Sequence, residues 1–268
     1  MYEAYWGLSE PPFDNSPNPK FFYLSPEHEE ALVRMIYAVR QRKGCAMLTG
    51  EYGCGKTTLS RALIQRLEAE RYEISLLTNP GWNALEFLSE ILYELGAGSE
   101  DKTKPELLHR LNEVFFRNYR EGRDTVIIID EAQLIVDEAV FEELRLLMNF
   151  QTDDRFLVTI LLIGSPELTA KVRRLRHLDQ RIAIRYHLNT LDDAHTVNYI
   201  AHRLQMAGRS EQIFTEDAIK LIFDFTRGTP REINNVCDIA LLVGCSKKVR
   251  AIDATIVADV IKDMVGIS

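Results

Sequence analysis

One octapeptide has the residue types and the spacing of a phosphate-binding loop. Residues 50–57 read Gly-Glu-Tyr-Gly-Cys-Gly-Lys-Thr and match the pattern G-x-x-x-x-G-K-[ST] at every position. Glycines let the main chain approach a polyphosphate closely, and a helix that starts behind the loop favours negative charge. We expect Lys56 to contact the β- and γ-phosphates and the Thr57 hydroxyl to bind Mg²⁺. The expected nucleotide-contacting residues are Gly50, Glu51, Tyr52, Gly53, Cys54, Gly55, Lys56, Thr57 and Thr58.

A second constellation is an acidic pair at the end of an apolar run. Residues 125–129 are all β-branched, and Asp130 and Glu131 follow them. The run is typical of a buried strand, and ligands bind at the carboxyl ends of parallel strands. We expect Asp130 to hold Mg²⁺ through water and Glu131 to polarise the attacking water. The alternative is a strand that ends in a solvated charge pair, but the phosphate loop about 70 residues earlier favours the catalytic interpretation.

Ser165 follows another apolar run, residues 156–163, which predicts a buried strand. The end of that strand brings the Ser165 hydroxyl close to the expected γ-phosphate, where it can orient the lytic water. The same hydroxyl can instead cap a helix that starts at Pro166, and the local sequence favours this second interpretation.

The densest basic run in the chain extends from Lys171 to His177, and Arg181 and Arg185 follow closely. Such a run is usually a solvated helix face. Two functional alternatives stay open. The run can present an arginine to the nucleotide of a neighbouring subunit, or it can bind the phosphates of a nucleic acid.

Arg231 is placed in the first turn of a predicted helix that begins after Gly228 and Thr229. The helix dipole disfavours a cation at this position. A bound phosphate would explain it, and so would a surface salt bridge with Glu232 or Asp224.

The elements that must position these residues follow from hydrophobic periodicity. Strands are expected at 45–49, 74–78, 125–129, 156–163 and 182–188. Helices are expected from Ser25-Pro26 to Val39, at 59–67, and at 83–95 and 105–120 with a loop at 96–104 between the last two. After Asp192 only helical patterns remain, at 192–207, 215–226, 230–244 and 252–264, with breaks at Gly208, Gly228 to Pro230 and Gly244. This order predicts an α/β core followed by a small all-helical domain.

The first 24 residues combine prolines with aromatic side chains, among them Trp6, Phe13 and Tyr23. Prolines at this density suppress regular structure, while the aromatic rings need a surface to pack on. We expect an extended arm laid over the core. The arm either covers apolar surface or lines an adenine cleft, and the sequence does not choose between the two.

Bulk composition is ordinary for a globular protein. The 268 residues are 46% hydrophobic and 27% charged, with a formal net charge of −8 that argues against a broadly DNA-coated surface. The four cysteines form no C-x-x-C pair, which indicates reduced thiols. No apolar run reaches the ~20 residues of a bilayer span, and the first residues do not read as a signal peptide. These features predict a cytoplasmic protein without a membrane segment.

With its motifs in this order, the chain resembles the AAA+ ATPases. The resemblance implies an α/β P-loop NTPase core of three αβα layers with parallel strand order 5-1-4-3-2, followed by a small all-helical lid, and ATP with Mg²⁺ bound between them. The implied domains are an arm at 1–24, a nucleotide-binding core at 25–190 and a lid at 191–268. The implied roles are Lys56 and Thr57 as phosphate and Mg²⁺ ligands, Asp130 as Mg²⁺ ligand, Glu131 as base, Ser165 and Arg231 as first and second sensors, and Arg181 or Arg176 as the arginine finger acting in trans.

Within AAA+ the chain is similar to the general secretion pathway protein A (ExeA/GspA) type and its transposition relatives (TniB-, MuB- and TnsC-like). The matching stretches are 7–13, 17–26, 130–133, 164–168 and 228–237. Chains of the ExeA type usually carry Gln where this chain has Ser165. Full-length members also continue into a membrane segment and a peptidoglycan-binding part, whereas this sequence ends at Ser268. It is therefore expected to be either part of a longer protein or a stand-alone ATPase.

The expected function is Mg²⁺-dependent ATP hydrolysis coupled to self-assembly, as a ring or filament, and to the assembly of a secretion or cell-envelope complex. One alternative is an ATP-dependent DNA-binding regulator of transposition that uses residues 171–185, which the acidic net charge disfavours. The other alternative is a nucleotide switch with negligible turnover.

Overall fold

A computed structural model describes residues 1–16, 18–78, 80–98 and 103–266. Pro17, which belongs to one of the matching stretches, and residues 99–102 of the predicted loop 96–104 lie outside the described residues. The chain separates into two compact units. The α/β unit comprises Glu27–Glu51 and Leu59–Leu188, and the helical unit comprises Met1–Pro26, Tyr52–Thr58 and Asn189–Ser268. The division of the chain at residues 24 and 190 stays a prediction.

The strands of the described residues form one parallel sheet. They are β1 Cys45–Gly50, β2 Tyr72–Leu77, β3 Asp124–Ile129, β4 Val158–Gly164 and β5 Ile182–Leu188. The sheet order is β2-β3-β4-β1-β5, with Thr49 of β1 opposite Gly164 of β4 and Ile129 of β3 opposite Leu162 of β4. The central strands β1 and β4 are buried at every position, as expected for a parallel sheet covered on both faces. The predicted fold class and strand order are confirmed.

Helices connect these strands and make up the helical unit. They are α1 Glu3–Trp6, α2 Pro26–Arg40, α3 Lys56–Arg66, α4 Ala84–Glu94, α5 Lys104–Arg120, α6 Glu138–Leu147, α7 Glu167–Arg174, α8 Arg176–Asp179, α9 Asp193–Met206, α10 Glu216–Thr226, α11 Pro230–Lys247 and α12 Ala254–Val265. No helix within the described ranges is long and apolar enough to cross a bilayer.

Local sequence explains where several of these helices begin. Asn83 and Glu86 form a reciprocal capping box at the start of α4, and Thr103 and Glu106 do the same for α5. Helix α6 was not predicted, although Asp137 caps it by accepting a hydrogen bond from the backbone N–H of Ala139. Strand β4 starts at Val158 rather than at the predicted Phe156, because Phe156 pairs with Gln151 in a separate antiparallel bridge.

The N-terminal arm differs from the prediction. It is not simply extended, since it contains α1, and five of its apolar side chains are part of the core of the helical unit, namely Tyr2, Trp6, Leu8, Phe13 and Phe21. Trp6 is 2% exposed and donates its indole N–H to the carbonyl of Leu241 in α11 at 2.9 Å. The aromatic rings of the arm are therefore buried by packing against neighbouring helices, rather than by lying flat on a surface.

The predicted break at Gly244 is also wrong, because α11 continues through it to Lys247. A β-carbon at Gly244 would lie 2.3 Å from Ile252 Cδ1 and 2.9 Å from Trp6 Cζ2. Glycine is therefore required here by close packing rather than by a turn. A helix-breaking signal in sequence marks a close approach in the structure.

Candidate active site

The phosphate-binding loop has the backbone geometry that its glycines predict. Gly53 and Gly55 have φ angles of +80° and +98°, values that residues with a β-carbon rarely adopt. Helix α3 begins directly after them at Lys56, whose side chain is only 5% exposed. The first backbone N–H groups of α3 and its dipole therefore follow immediately on the glycine turn, the arrangement that binds phosphate.

An exposed aromatic ring accompanies the loop lysine. Tyr52 is 54% exposed, and the Nζ atom of Lys56 lies 5.6 Å from the centre of its ring. This distance permits a cation–π attraction. Tyr52 thus contributes to the surroundings of the lysine without being required by the phosphate-binding pattern.

The helical unit brings the phosphate loop and Arg231 together. The backbone N–H of Arg231 donates to the carbonyl oxygen of Gly53 at 3.3 Å, and a β-carbon on Gly53 would lie 2.7 Å from Arg231 Cβ. Arg231 is the second residue of α11, directly after Pro230. The salt-bridge alternative for this arginine is wrong, since none of the ion pairs within the described ranges involves it.

The acidic pair directly follows β3 in the α/β unit. Asp130 is 2% exposed, its N–H donates to Leu77 O at 2.8 Å, and its Oδ1 accepts from the N–H of Glu131 at 3.0 Å. Glu131 is half-buried and has a φ of +54°, the left-handed region that costs free energy for a residue with a side chain. The chain therefore turns sharply at Glu131, so the pair is not an ordinary solvated strand end.

Gln133 joins Glu131 to the end of β4. Its Nε2 donates to Glu131 Oε2 at 2.5 Å, and its Oε1 accepts from the backbone N–H of Ser165 at 3.0 Å. Sequence reasoning gave no role to Gln133. The only signal was its place two residues after Glu131, at the end of a matching stretch.

Ser165 does not cap the next helix, which corrects the interpretation that local sequence favours. Helix α7 has no side-chain cap, and the Oγ atom of Ser165 is buried without a hydrogen-bond partner. The side chain is 0% exposed. A buried hydroxyl without a partner is uncommon in proteins and leaves a donor for a group that binds there.

The basic run is divided between two helices and is partly engaged by the protein itself. Leu175 separates α7 from α8. Lys171 donates to the backbone carbonyls of Gln133 and Ile135, the latter at 2.9 Å. Arg185 pairs with Asp179 at 2.8 Å. The run is therefore not one continuous solvated face.

Arg181 lies at the opposite end of the sheet from the acidic pair. It immediately precedes β5, whereas Glu131 and Ser165 follow the carboxyl ends of β3 and β4. A strand of this length spans about 20 Å, so the α/β unit does not bring Arg181 to either residue. Its guanidinium donates weakly to the carbonyl oxygen of Arg145 at 3.5 Å.

Each of the two units carries residues of the types that bind a nucleotide and Mg²⁺. The positive φ angles of Gly53 and Gly55 shape a loop whose main chain can approach phosphates, and the Ser165 hydroxyl has an unused donor. In the helical unit Thr57 carries a hydroxyl, and in the α/β unit Asp130 carries a carboxylate, both oxygen ligands of the type that Mg²⁺ prefers. Mg²⁺ is usually held by one or two carboxylates together with substrate phosphates. Groups of three or more metal-binding side chains do not occur within the described ranges, so the phosphates would have to supply ligands.

A family model for the AAA domain matches residues 39–172, half of the chain, and this span includes the phosphate loop, the acidic pair and Ser165. The chain belongs to the AAA+ ATPase family. This AAA+ chain is also 40% identical over 250 residues to general secretion pathway protein A of Aeromonas hydrophila, an alignment that covers 92% of the chain and 45% of that relative. The predicted resemblance to the general secretion pathway type is confirmed, and the AAA+ chain spans less than half of the relative's length.

Solved structures support the same fold. The Aeropyrum pernix ORC2 protein, in complexes with ADPNP and ADP, has a TM-score of 0.68 at 18% identity, covering 95% of the AAA+ chain and 71% of its own. The Thermotoga maritima RuvB Holliday junction branch migration motor has a TM-score of 0.58 at 19% identity, covering 87% and 68%. At these identities the likeness establishes the fold alone.

Proposed function

We propose that the chain is an ATPase that binds ATP with Mg²⁺ and hydrolyses it. The observation that carries the proposal is the phosphate loop, in which two glycines with positive φ directly precede a helix that starts with Lys56. In this proposal the N–H groups of the loop and the Lys56 ammonium bind the phosphates. Thr57 and Asp130 hold Mg²⁺, which when bound neutralises the charge of the β- and γ-phosphates.

Hydrolysis requires a group that accepts a proton from the attacking water. Glu131 takes this role, because its carboxylate is half-buried and directly follows the buried Asp130 at the end of β3. The water oxygen forms a bond to the γ-phosphorus while the bond from that phosphorus to the β–γ bridging oxygen breaks. Glu131 receives the proton of the water, the Ser165 hydroxyl donates to the transferred group, and Arg231 supplies positive charge.

Two substitutions test this assignment. Lys56→Ala removes the phosphate-binding ammonium and should abolish nucleotide binding or turnover. Glu131→Gln keeps the side-chain size but not the base, so it should bind a fluorescent ATP analogue while hydrolysing ATP at least about 100-fold more slowly. Exposed Glu94→Gln in α4 is the matched control and should hydrolyse ATP like the wild type. Undiminished hydrolysis by Glu131→Gln would remove the assigned base.

The process that the ATPase serves is proposed from its relative. The name of the 40% identical protein, general secretion pathway protein A, supports work on a secretion or cell-envelope complex. We further propose that subunits self-assemble, that Arg181 acts on the nucleotide of a neighbour, and that the protein functions in the cytoplasm, which the four free cysteines support. Mass photometry with and without a non-hydrolysable ATP analogue tests assembly, and a mass that nucleotide does not change contradicts it.

A DNA-binding role in transposition is the second candidate, and the basic run is the feature that favours it. Arg173, Arg174 and Arg176 are exposed, but Lys171 and Arg185 already have protein partners and the net charge is −8. A salt-dependent and ATP-dependent mobility shift of duplex DNA would support this role. Absence of binding at low salt would exclude it.

A nucleotide switch with negligible turnover is the remaining alternative. Steady-state ATP hydrolysis measured across protein concentrations separates it from the secretion ATPase and from the DNA-binding regulator.

A further inference from the structure

We propose that Gln133 is a positioning residue that holds the carboxylate of Glu131 for catalysis. The inference rests on the proposed function, in which Glu131 is the base. Gln133 is 7% exposed and uses both ends of its amide, donating to Glu131 Oε2 at 2.5 Å and accepting from the N–H of Ser165 at 3.0 Å. Gln133 therefore connects Glu131 to the residue that follows β4.

The chemistry of the partners determines which way the amide faces. A backbone N–H can only donate, so the oxygen of Gln133 must face Ser165. The amide nitrogen then necessarily faces Glu131, whose carboxylate accepts its hydrogen bond. The amide therefore fixes one carboxylate oxygen of the base, and the hydrogen bond is strengthened by the charge of its acceptor.

The surroundings hold Gln133 itself in place. It lies in a 3₁₀ turn, Ala132–Leu134, and Lys171 of α7 donates to its carbonyl oxygen and to that of Ile135. The side-chain oxygen of Gln133 lies against Gly164, where a β-carbon would be 2.5 Å from Gln133 Oε1. Gln133 is thus held between Lys171 and Gly164, and any residue with a β-carbon at position 164 would displace its amide.

The carboxylate of Glu131 benefits from such a support because the main-chain contacts of Glu131 do not orient it. Its φ of +54° places it outside the strand, and its N–H and carbonyl are bonded to Asp130 Oδ1 and to the N–H of Leu134, contacts that hold the main chain but not the carboxylate. A base misplaced by about 1 Å can lose up to about 100-fold in rate. Because Gln133 holds one carboxylate oxygen of Glu131, the second carboxylate oxygen keeps a single orientation.

The test compares two substitutions at Gln133 by steady-state kinetics. Gln133→Met removes both hydrogen bonds at similar volume and should lower kcat about 10- to 100-fold while the KM for ATP stays within about twofold. Gln133→Glu retains the acceptor for Ser165 but places a second carboxylate against Glu131. Because the amide donor to Glu131 is lost and a like charge takes its place, kcat should fall at least as far as in Gln133→Met, again with the KM for ATP within about twofold.

Controls separate positioning from a loss of structure. Exposed Gln41→Glu adds the same charge elsewhere and should leave both kcat and the KM for ATP unchanged. Gly164→Ala displaces the glutamine amide without altering Gln133 and should lower kcat like Gln133→Met. Circular dichroism and binding of a fluorescent ATP analogue check that each variant is folded. If one Gln133 variant does not fold, the kcat of the other variant and of Gly164→Ala decides the test.

The remaining outcomes contradict either this inference or the proposed function, and the two cases can be told apart. A wild-type kcat in the Gln133 variants, a loss that appears in KM rather than in kcat, or a raised kcat in Gln133→Met overturns the inference. A raised kcat does so because Gln133 would then restrain the base. These results leave the proposed function intact if Glu131→Gln is inactive. Full hydrolysis by Glu131→Gln is a failure of the proposed function instead, and it removes the base that Gln133 is proposed to position.

Discussion

The carbonyl oxygen of Gly53 accepts a hydrogen bond from the backbone N–H of Arg231, and the two residues approach so closely that a β-carbon on Gly53 would lie 2.7 Å from Arg231 Cβ. They are 178 residues apart in sequence (231 − 53). The close approach is possible because Gly53 combines a φ of +80° with the absence of a side chain. The phosphate loop is thereby in direct contact with the first turn of α11.

Replacing Gly53 with alanine is expected to impair ATP binding. The new β-carbon meets Arg231 Cβ at 2.7 Å and Thr229 Cγ2 at 3.2 Å, and the left-handed φ adds strain. We expect the affinity for a fluorescent ATP analogue, measured by titration, to fall at least about 10-fold, which corresponds to ~1.4 kcal/mol.

Gly122→Ala is the matched control for that experiment. Gly122 has a similar φ of +75°, but a β-carbon there has nothing within 4 Å. The control therefore reproduces the backbone strain without the close contact. Equal affinities in the two variants would show that the contact with Arg231 is not needed for binding.

Arg181→Ala is expected to abolish ATP hydrolysis, and mixing it with a second inactive variant is expected to restore part of the activity. Because Arg181 lies at the end of the sheet opposite to Glu131, it can serve only a neighbouring subunit in the proposed mechanism. An inactive Arg181→Ala subunit mixed with inactive Lys56→Ala should regain measurable ATPase activity, since an intact loop and an intact arginine then meet at some interfaces.

Two further variants sharpen the complementation test. Arg176→Ala examines the other candidate finger, and exposed Arg173→Ala should behave like the wild type. Recovery with Arg176→Ala but not with Arg181→Ala would transfer the role to Arg176. If no mixture gains activity although each variant still assembles, the proposal of an arginine acting in trans is wrong.

Arg203→Met is expected to release the N-terminal arm. Arg203 is 7% exposed and donates to the backbone carbonyls of Pro12 and Asp14, the latter at 2.6 Å, while its guanidinium lies 4.9 Å from the ring of Phe21. Loss of these charged hydrogen bonds should lower the free energy of unfolding by about 3 kcal/mol. Limited proteolysis should then cleave the arm.

Lysine at the same position provides a second measurement. Arg203→Lys keeps the charge but loses the planar guanidinium that donates from two nitrogens and lies over the ring of Phe21, so it should restore only part of the stability. Exposed Arg250→Met is the control and should change the midpoint of thermal unfolding little. An arm that resists protease in Arg203→Met would contradict the anchoring role.

Acidification is expected to destabilise the protein through His202. Its Nε2 is buried without a hydrogen-bond partner, and burial, followed by the charge of Arg203, lowers its pKa. The unfolded state therefore binds a proton that the folded state does not, so stability is lost as the pH falls below about 6.5. His202→Gln should show a smaller decrease in melting temperature between pH 7.5 and pH 5.5, whereas exposed His109→Gln should match the wild type.

Thiol reactivity should distinguish one cysteine from the other three. Cys45, Cys54 and Cys237 are buried, and burial raises the pKa of the Cys45 thiol to about 12. Cys245 is only half-buried. Iodoacetamide labelling of the native protein followed by mass spectrometry should modify Cys245 first, because thiolate character and access govern the rate. Rapid labelling of Cys54 would mean that the phosphate loop opens in solution.

The local chemistry of the site was predictable from sequence. The pattern of residues 50–57 specifies a turn with positive φ angles and a helix start, and both depend only on neighbouring residues. The β-branched run before Asp130 similarly predicts a buried strand with acids at its end. Strand order followed from the AAA+ resemblance rather than from periodicity, which does not encode how strands pair.

Other features depend on contacts between distant residues and were decided only by the tertiary structure. Gly244 resembles a helix break in sequence, but in the structure it permits Trp6 and Ile252 to pack closely. The aromatic arm belongs to the helical unit because its side chains pack into the core formed by the helices of that unit. Gln133 acquires its partners only when β4 lies beside β3 and brings the N–H of Ser165 within reach. The sequence by itself determined the ligand-binding motif, whereas three-dimensional packing determined which residues support it, because hydrogen bonds and steric contacts depend on spatial rather than sequential proximity.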